Sequence, residues 1–205
     1  MSANKSTGFL IAVILSVLVN VADAQSTVAV DSTTRPRRAF VLHIGGGYAH
    51  YIAAVNLRPT GLAGSVVRSS VAVTFRFMWY PSYRLRLGFE TGYTNFYSYN
   101  VKNGNVQGRL SLNAIPLLFV WSMPVVKRVN VYAGIGTFVL NTHLGYLGEV
   151  HSKAYVLGSN IALSYTLPLS RNLGLAAEGK WMNAFETKDA TLGIQVQAVW
   201  RIAKL

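Results

Sequence analysis

From residue 38 onward the chain alternates large apolar residues with small or polar ones, again and again, at a period of two. In 71–80, Val71, Val73, Phe75, Phe77 and Trp79 share one face, and Ala72, Thr74, Arg76 and Met78 share the other. In 85–94, Leu85, Leu87, Phe89, Thr91 and Tyr93 oppose Arg86, Gly88, Glu90, Gly92 and Thr94. The segments 173–182 and 192–203 repeat the pattern, with Glu178 and Lys180 opposite Ala177, Gly179 and Trp181, and Arg201 opposite Trp200 and Ile202. A period of two is the repeat of a strand whose two faces meet different surroundings. Weaker alternation in about 38–52, 106–121, 130–141 and 154–167 brings the total to eight strands. Pro116 disturbs the parity of 106–121 and predicts a bulge or edge-like irregularity there.

Composition sharpens this. Hydrophobic residues make up 51% of the 205 residues and charged residues only 13%, against roughly 25% charged in ordinary soluble domains. After the first twenty residues no apolar run reaches the roughly 18 residues that a spanning helix needs. A chain this apolar, built of strands, has one other way to satisfy every backbone group inside hydrocarbon, which is a closed barrel. The expected fold is therefore all-β: an eight-stranded antiparallel up-and-down transmembrane β-barrel. With no cysteine, disulfides, thiolate metal centres, cysteine nucleophiles and a lipoprotein anchor are excluded. No cofactor is indicated.

The first residues have the form of an export signal. Lys5 supplies a positive start, Phe9 to Val19 an apolar stretch of eleven residues, and Ala22-Asp23-Ala24 a small-residue cleavage site. The expected organisation is a signal peptide over 1–24, a Ser/Thr-rich lead-in over 25–37 and an outer-membrane barrel over 38–205. Removing 1–24 takes away Lys5 and Asp23, so the net charge of +12 persists. For an exported chain such a balance favours lipid headgroups or lipopolysaccharide phosphates over nucleic acid.

Three proline-bearing turns are predicted at Tyr80-Pro81-Ser82-Tyr83, Met123-Pro124-Val125-Val126 and Leu167-Pro168-Leu169-Ser170. Between them lie expected long loops near 53–66, 97–105, 142–153 and 185–190. Short turns alternating with long loops follow the outer-membrane pattern, with the short turns on the periplasmic side. The same alternation turned inside out would make a soluble, lipocalin-like barrel. Thin polar faces rich in Gly, Ala, Ser and Thr argue against that, since they suit a crowded small-barrel interior. So do aromatic residues near strand ends: Trp79, Tyr80, Tyr83 and Trp121, with Tyr93, Phe96, Tyr97 and Tyr99 near a loop. They are expected to form girdles.

The stretch Leu112-Asn113-Ala114-Ile115-Pro116-Leu117-Leu118-Phe119, a turn, then Val131-Tyr132-Ala133-Gly134-Ile135-Gly136 resembles the porin-like outer-membrane β-barrel-domain family, in which an "IPLL" strand precedes a "YxGxG" strand. Gly45-Gly46-Gly47-Tyr48 is similar to that family's first strand. The resemblance covers most of 38–205 and implies small eight-stranded barrels of the outer-membrane protein A and X type. Such chains often end in an aromatic residue, whereas this one ends Ala203-Lys204-Leu205 after Trp200.

Alternation points Arg76, Arg86, Glu90, Arg109, Glu178, Lys180 and Arg201 into the barrel. Charges placed there must be paired or hydrated, so an internal salt-bridge network is expected, with an ion path or a bound anion as the sharper alternative. Arg35, Arg37, Arg38, Arg84, Lys127, Arg128, Arg171 and Lys204 map to the periplasmic rim, where they could hold anionic lipid headgroups or an acidic partner. The expected function is that of a non-enzymatic integral outer-membrane barrel with a structural, partner-binding or accessory role. Outer-membrane lipids, lipopolysaccharide included, and a protein bound through the long loops or the basic rim are the expected partners. A small pore and a lipid A-modifying enzyme are the alternatives. For the latter, His143, Glu149, His151 and Ser152 supply a base, a carboxylate and a nucleophile in the third long loop. His43 and His50 are expected to be structural.

Overall fold

The computed structural model describes residues 38–53, 63–81, 84–103, 106–145 and 149–204. The proposed signal peptide and the whole of the lead-in, with Arg35 and Arg37, lie outside them. The strands are β1 (Ala39–Tyr51), β2 (Ala63–Val67), β3 (Ser69–Tyr80), β4 (Arg86–Asn103), β5 (Val106–Val126), β6 (Val129–Gly145), β7 (Glu149–Pro168), β8 (Leu173–Ala184) and β9 (Asp189–Lys204). β2 and β3 are one stave interrupted at Arg68, and both pair with β4. β1 joins β3 to β9, sequential hairpins run from β9 back to β5, and a β4–β5 ladder closes the ring. Every pairing is antiparallel. Eight staves thus form a closed up-and-down barrel, and closure leaves no edge strand among them.

The two faces differ sharply. Val71, Val73, Phe75 and Phe77 are exposed, while Ala72, Thr74, Arg76 and Met78 of the same strand are buried. Ile194 (72% exposed) and Phe89 (66%) are among the barest of a continuous apolar exterior, while Gln195, Gln197 and Glu90 beside them are buried. A soluble barrel would have these faces exchanged. Here the large apolar side chains point out and the charges point in.

Strand lengths depart from the sequence expectation. The described residues of 97–105 belong to β4 and β5 and those of 142–153 to β6 and β7, and 104–105 and 146–148 lie outside the described residues. The expected long loops there are extended hairpins. Beyond the apolar zone a strand no longer needs an oily face, so alternation fades while the backbone ladder continues. At the opposite end the β5–β6 turn is Lys127-Arg128, with Arg128 at φ 77°, and Pro124 stays within β5. The register shifts between Pro124 and Val126, and β5 pairs with β6 straight through Pro116 without a shift.

On the β4 side the ladder skips Ile115 and Pro116, the irregularity expected there, and a bulge follows at Phe96, where the β4–β5 register shifts between Asn95 and Tyr97. One extra residue lets two neighbours turn the same way. Phe96, Tyr97 and Tyr99 are therefore buried inside the barrel and do not join an outer girdle. Phe96 and Tyr97 pack with Tyr51, Phe138, Leu140 and Met182. Tyr93, Trp121 and Trp200 do face outward. This inner aromatic layer relies on Gly158, where a Cβ would lie 2.5 Å from both the Phe138 ring and the Asn183 carbonyl oxygen. A Gly158→Leu variant is expected to lose about 1–3 kcal/mol by overpacking, read as a lower urea midpoint for unfolding from lipid vesicles. Leu157→Ala, on the outward face next door, serves as the mild comparison.

Candidate functional site

At mid-height β3, β4 and β8 each send charged side chains inward on the parity opposite to Phe75, Phe89 and Ala177. Arg76, Glu90, Glu178 and Lys180 meet there and are buried to within 2% of complete. Arg76 donates from Nε to Glu90 Oε2 and, as a two-pronged fork, from Nη1 and Nη2 to Glu178 at 2.7 and 3.0 Å. Lys180 Nζ donates to Glu90 Oε1 at 2.8 Å and to Thr74 Oγ1 at 2.9 Å, and lies 3.3 Å from Glu178. Asn160 Nδ2 donates to Glu90 Oε1 at 2.8 Å. Gly134 makes space for that amide, since a Cβ there would lie 2.5 Å from Asn160 Oδ1. Arg76 also stacks 4.1 Å over the Tyr132 ring. Two cations and two anions thus form a neutral, cross-braced quartet, and such charges are tolerable in a dry interior only when paired in this way.

Below the quartet, the barrel widens into a cavity of about 530 Å³ at the end that holds Arg38, the Lys127-Arg128 turn and the Leu169–Asn172 connection. Arg84, Arg86, Lys127, Arg128, Arg171 and Arg201 line it, together with Tyr80, Asn130 and Asn172. Arg86 is braced without a carboxylate. Its Nη1 donates to Asn130 Oδ1 at 2.8 Å, and its guanidinium lies 4.1 Å over Tyr80. Tyr80 therefore faces the interior and is not part of an outer girdle. It also approaches His43 Nε2 at 3.4 Å, and that buried histidine packs edge-on to Tyr132.

Of the seven inward charges named from the sequence, four make the quartet, and Arg86 and Arg201 line the cavity. The Arg109 side chain lies outside the described residues, as does that of Lys204. Arg38 is exposed at the same end as Arg84, Lys127, Arg128 and Arg171. Asn160 and Asn130 were not singled out from the sequence, Thr74 was placed only by its face, and Tyr80 was expected in a girdle. All four are uncharged, and only their inward parity marks them.

At the far end, His143 and His151 face one another across β6 and β7, with Nδ1 atoms 3.0 Å apart. Ser152 is paired with Thr142 on an exposed strand, one residue out of step with the histidines. The expected long loop is thus a hairpin, and successive strand residues point to opposite faces, which sets Ser152 and His151 apart. The Glu149 side chain lies outside the described residues. Among the described residues no group of three or more His, Asp or Glu side chains could hold a metal ion. His50 is exposed and contacts Ser69 Oγ at 3.1 Å.

A closed ring of strands, an apolar exterior and an interior of buried, paired charges together leave one environment that suits the outer surface, the hydrocarbon of a bilayer. The chain is an outer-membrane β-barrel. No family model matches the chain, and no curated protein matches it. Among solved structures the barrel is similar to Neisserial surface protein A, with TM-score 0.47 and 12% identity over 82% of this chain and 100% of that one. It is similar also to Ail, the attachment invasion locus protein of Yersinia pestis, with TM-score 0.46 and 6% identity over 82% of this chain and 100% of that one. OprG from Pseudomonas aeruginosa gives TM-score 0.39 and 12% identity over 82% of this chain and 95% of that one. The strand termini Ala39 and Lys204 lie at the same end as the cationic cavity, and the extended β4–β5 and β6–β7 hairpins lie at the other.

Proposed function

We propose that this outer-membrane barrel is a sealed, non-enzymatic element that acts through its two rims, as an accessory or partner-binding protein. The observation that carries this reading is the buried quartet. Arg76, Glu90, Glu178 and Lys180 bridge three staves across the lumen, and the aromatic layer of Phe96, Tyr97 and Phe138 stands above them. A permeating ion would have to separate paired charges in a dry interior, which favours a plug over a path. At the outer end, exposed Arg68, Lys153 and Lys188 supply cations suited to lipopolysaccharide phosphates, and the projecting β4–β5 and β6–β7 hairpins supply surface for a protein partner.

Planar-bilayer recording tests the seal. The refolded barrel is expected to give no steady unitary conductance, because the lumen is filled at mid-height. A reproducible conductance that changes its ion selectivity in Glu178→Gln would overturn the reading in favour of a small pore. Lipid A mass spectra that differ with and without the protein, and depend on Ser152, would overturn its non-enzymatic part.

A further inference from the structure

We propose that the cationic cavity at the periplasmic end is a binding site for a ligand carrying two or more phosphate groups. Its volume of about 530 Å³ lies within the roughly 300–1,000 Å³ of small-molecule sites. Six cationic side chains line it, five of them arginines, and no carboxylate does. The carboxylates of the described residues lie elsewhere: Glu90 and Glu178 are consumed in the quartet, Asp189 accepts from the Tyr51 hydroxyl at 2.6 Å at the outer end, and Glu149 at the start of β7 and Glu186 in the β8–β9 turn belong to that same end. The cations of the cavity therefore have no carboxylate in the lining to offset them, and a concave, low-dielectric wall focuses the resulting positive field.

Chemistry and geometry both favour phosphate. Guanidinium groups match phosphate oxygens with paired donors. Arg86 is oriented by Asn130 and Tyr80, neither of which neutralises it, so its charge is retained and its position fixed in advance of any ligand. Asn172 and Ser170 add uncharged polar groups to the lining. One phosphate would leave most of the six cations unmatched, and two or more linked phosphates would spread across Arg84, Arg86, Lys127, Arg128, Arg171 and Arg201. Such phosphates could belong to a soluble periplasmic oligophosphate or to phospholipid headgroups of the inner leaflet. This inference stands apart from the sealed lumen, because conductance and phosphate binding are read separately.

The test uses the mature barrel refolded in an uncharged detergent, titrated calorimetrically with inorganic tripolyphosphate in phosphate-free buffer. Saturable one-to-one binding is expected, weakening as sodium chloride is raised. It should fall at least about tenfold, equivalent to about 1.4 kcal/mol, in Arg86→Gln/Arg201→Gln. Lys127→Gln/Arg171→Gln, on exposed turn positions, should weaken it as well if the first pair fails to fold. Lys153→Gln/Lys188→Gln, at the opposite end, should leave it unchanged. In parallel, the protein is released for native mass spectrometry from nanodiscs of phosphatidylcholine with cardiolipin, whose headgroup links two phosphates. Retained cardiolipin that tripolyphosphate displaces, and that Arg86→Gln/Arg201→Gln abolishes, identifies the headgroup as the source. Tripolyphosphate binding without retained lipid identifies a soluble ligand. Failure of both, or equal loss in the Lys153/Lys188 variant, overturns the proposal.

Discussion

Arg76→Met is expected to cost about 3–5 kcal/mol of folding stability, the range for breaking a buried ion pair by removing one partner. Arg76 holds Glu90 through Nε and Glu178 through both terminal nitrogens. Without it, two buried carboxylates share the single ammonium of Lys180, which already reaches both at 2.8 and 3.3 Å. The Tyr132 ring also loses the guanidinium stacked over it. Urea titration of the barrel in lipid vesicles, read by gel mobility with and without heating, measures the loss. A double variant, Arg76→Met/Glu178→Gln, removes one charge of each sign and leaves Lys180 with Glu90. It is expected to recover part of the stability, with a coupling between the sites of about 0.5–3 kcal/mol. If Arg76→Met stays within about 0.5 kcal/mol of the parent, as an ordinary surface change does, the quartet is no structural keystone.

Phe89→Arg is expected to cost about 2–4 kcal/mol, the range for an arginine on the lipid face near the bilayer midplane. Phe89 is 66% exposed, stands between Phe77 and Phe119 in the pairing, and makes an edge-on ring contact with Phe119 at 5.6 Å. Its neighbour Glu90 is buried in the quartet, so the position lies at the level of the paired charges and well away from either rim. The same substitution at Val126, exposed at the end of β5 beside the Lys127-Arg128 turn, should cost no more than about 1 kcal/mol, because the penalty fades toward the interface. The contrast separates a lipid-facing surface from a watery one. In a soluble barrel neither position would show a dependence on depth, and equal small effects at both would remove the basis for the membrane assignment.

How far the fold was legible depends on how strongly each segment must discriminate between its two faces. Where lipid lies on one side and a packed lumen on the other, as in β3, β8 and β9, alternation is strict and the facing of Phe75, Arg76, Glu178 and Ile194 follows from parity alone. Where both sides meet water or headgroups, the constraint lapses. Hence the segments 97–105 and 142–153, full of Tyr, Asn, Ser and Gly, suggest loops although β4 to β7 run through them. The ladder there is held by backbone hydrogen bonds, which carry no signature in side-chain type. The bulge at Phe96 escaped notice for a related reason. Two adjacent aromatics are compatible with an outer girdle until the register opposite them is known.

By itself, the sequence determined that this chain is built of eight alternating strands around a charged interior, because period-two patterning and a scarcity of charge leave few other ways to hide the backbone. Only the tertiary structure decided who meets whom. Arg76 finds Glu178 across a separation of 102 residues, Phe138 settles over Gly158, and Arg86 turns toward Asn130 and Tyr80. Parity says which face a side chain occupies. Its height along the barrel and its neighbours around the ring depend on register and closure, which are set by all the strands together.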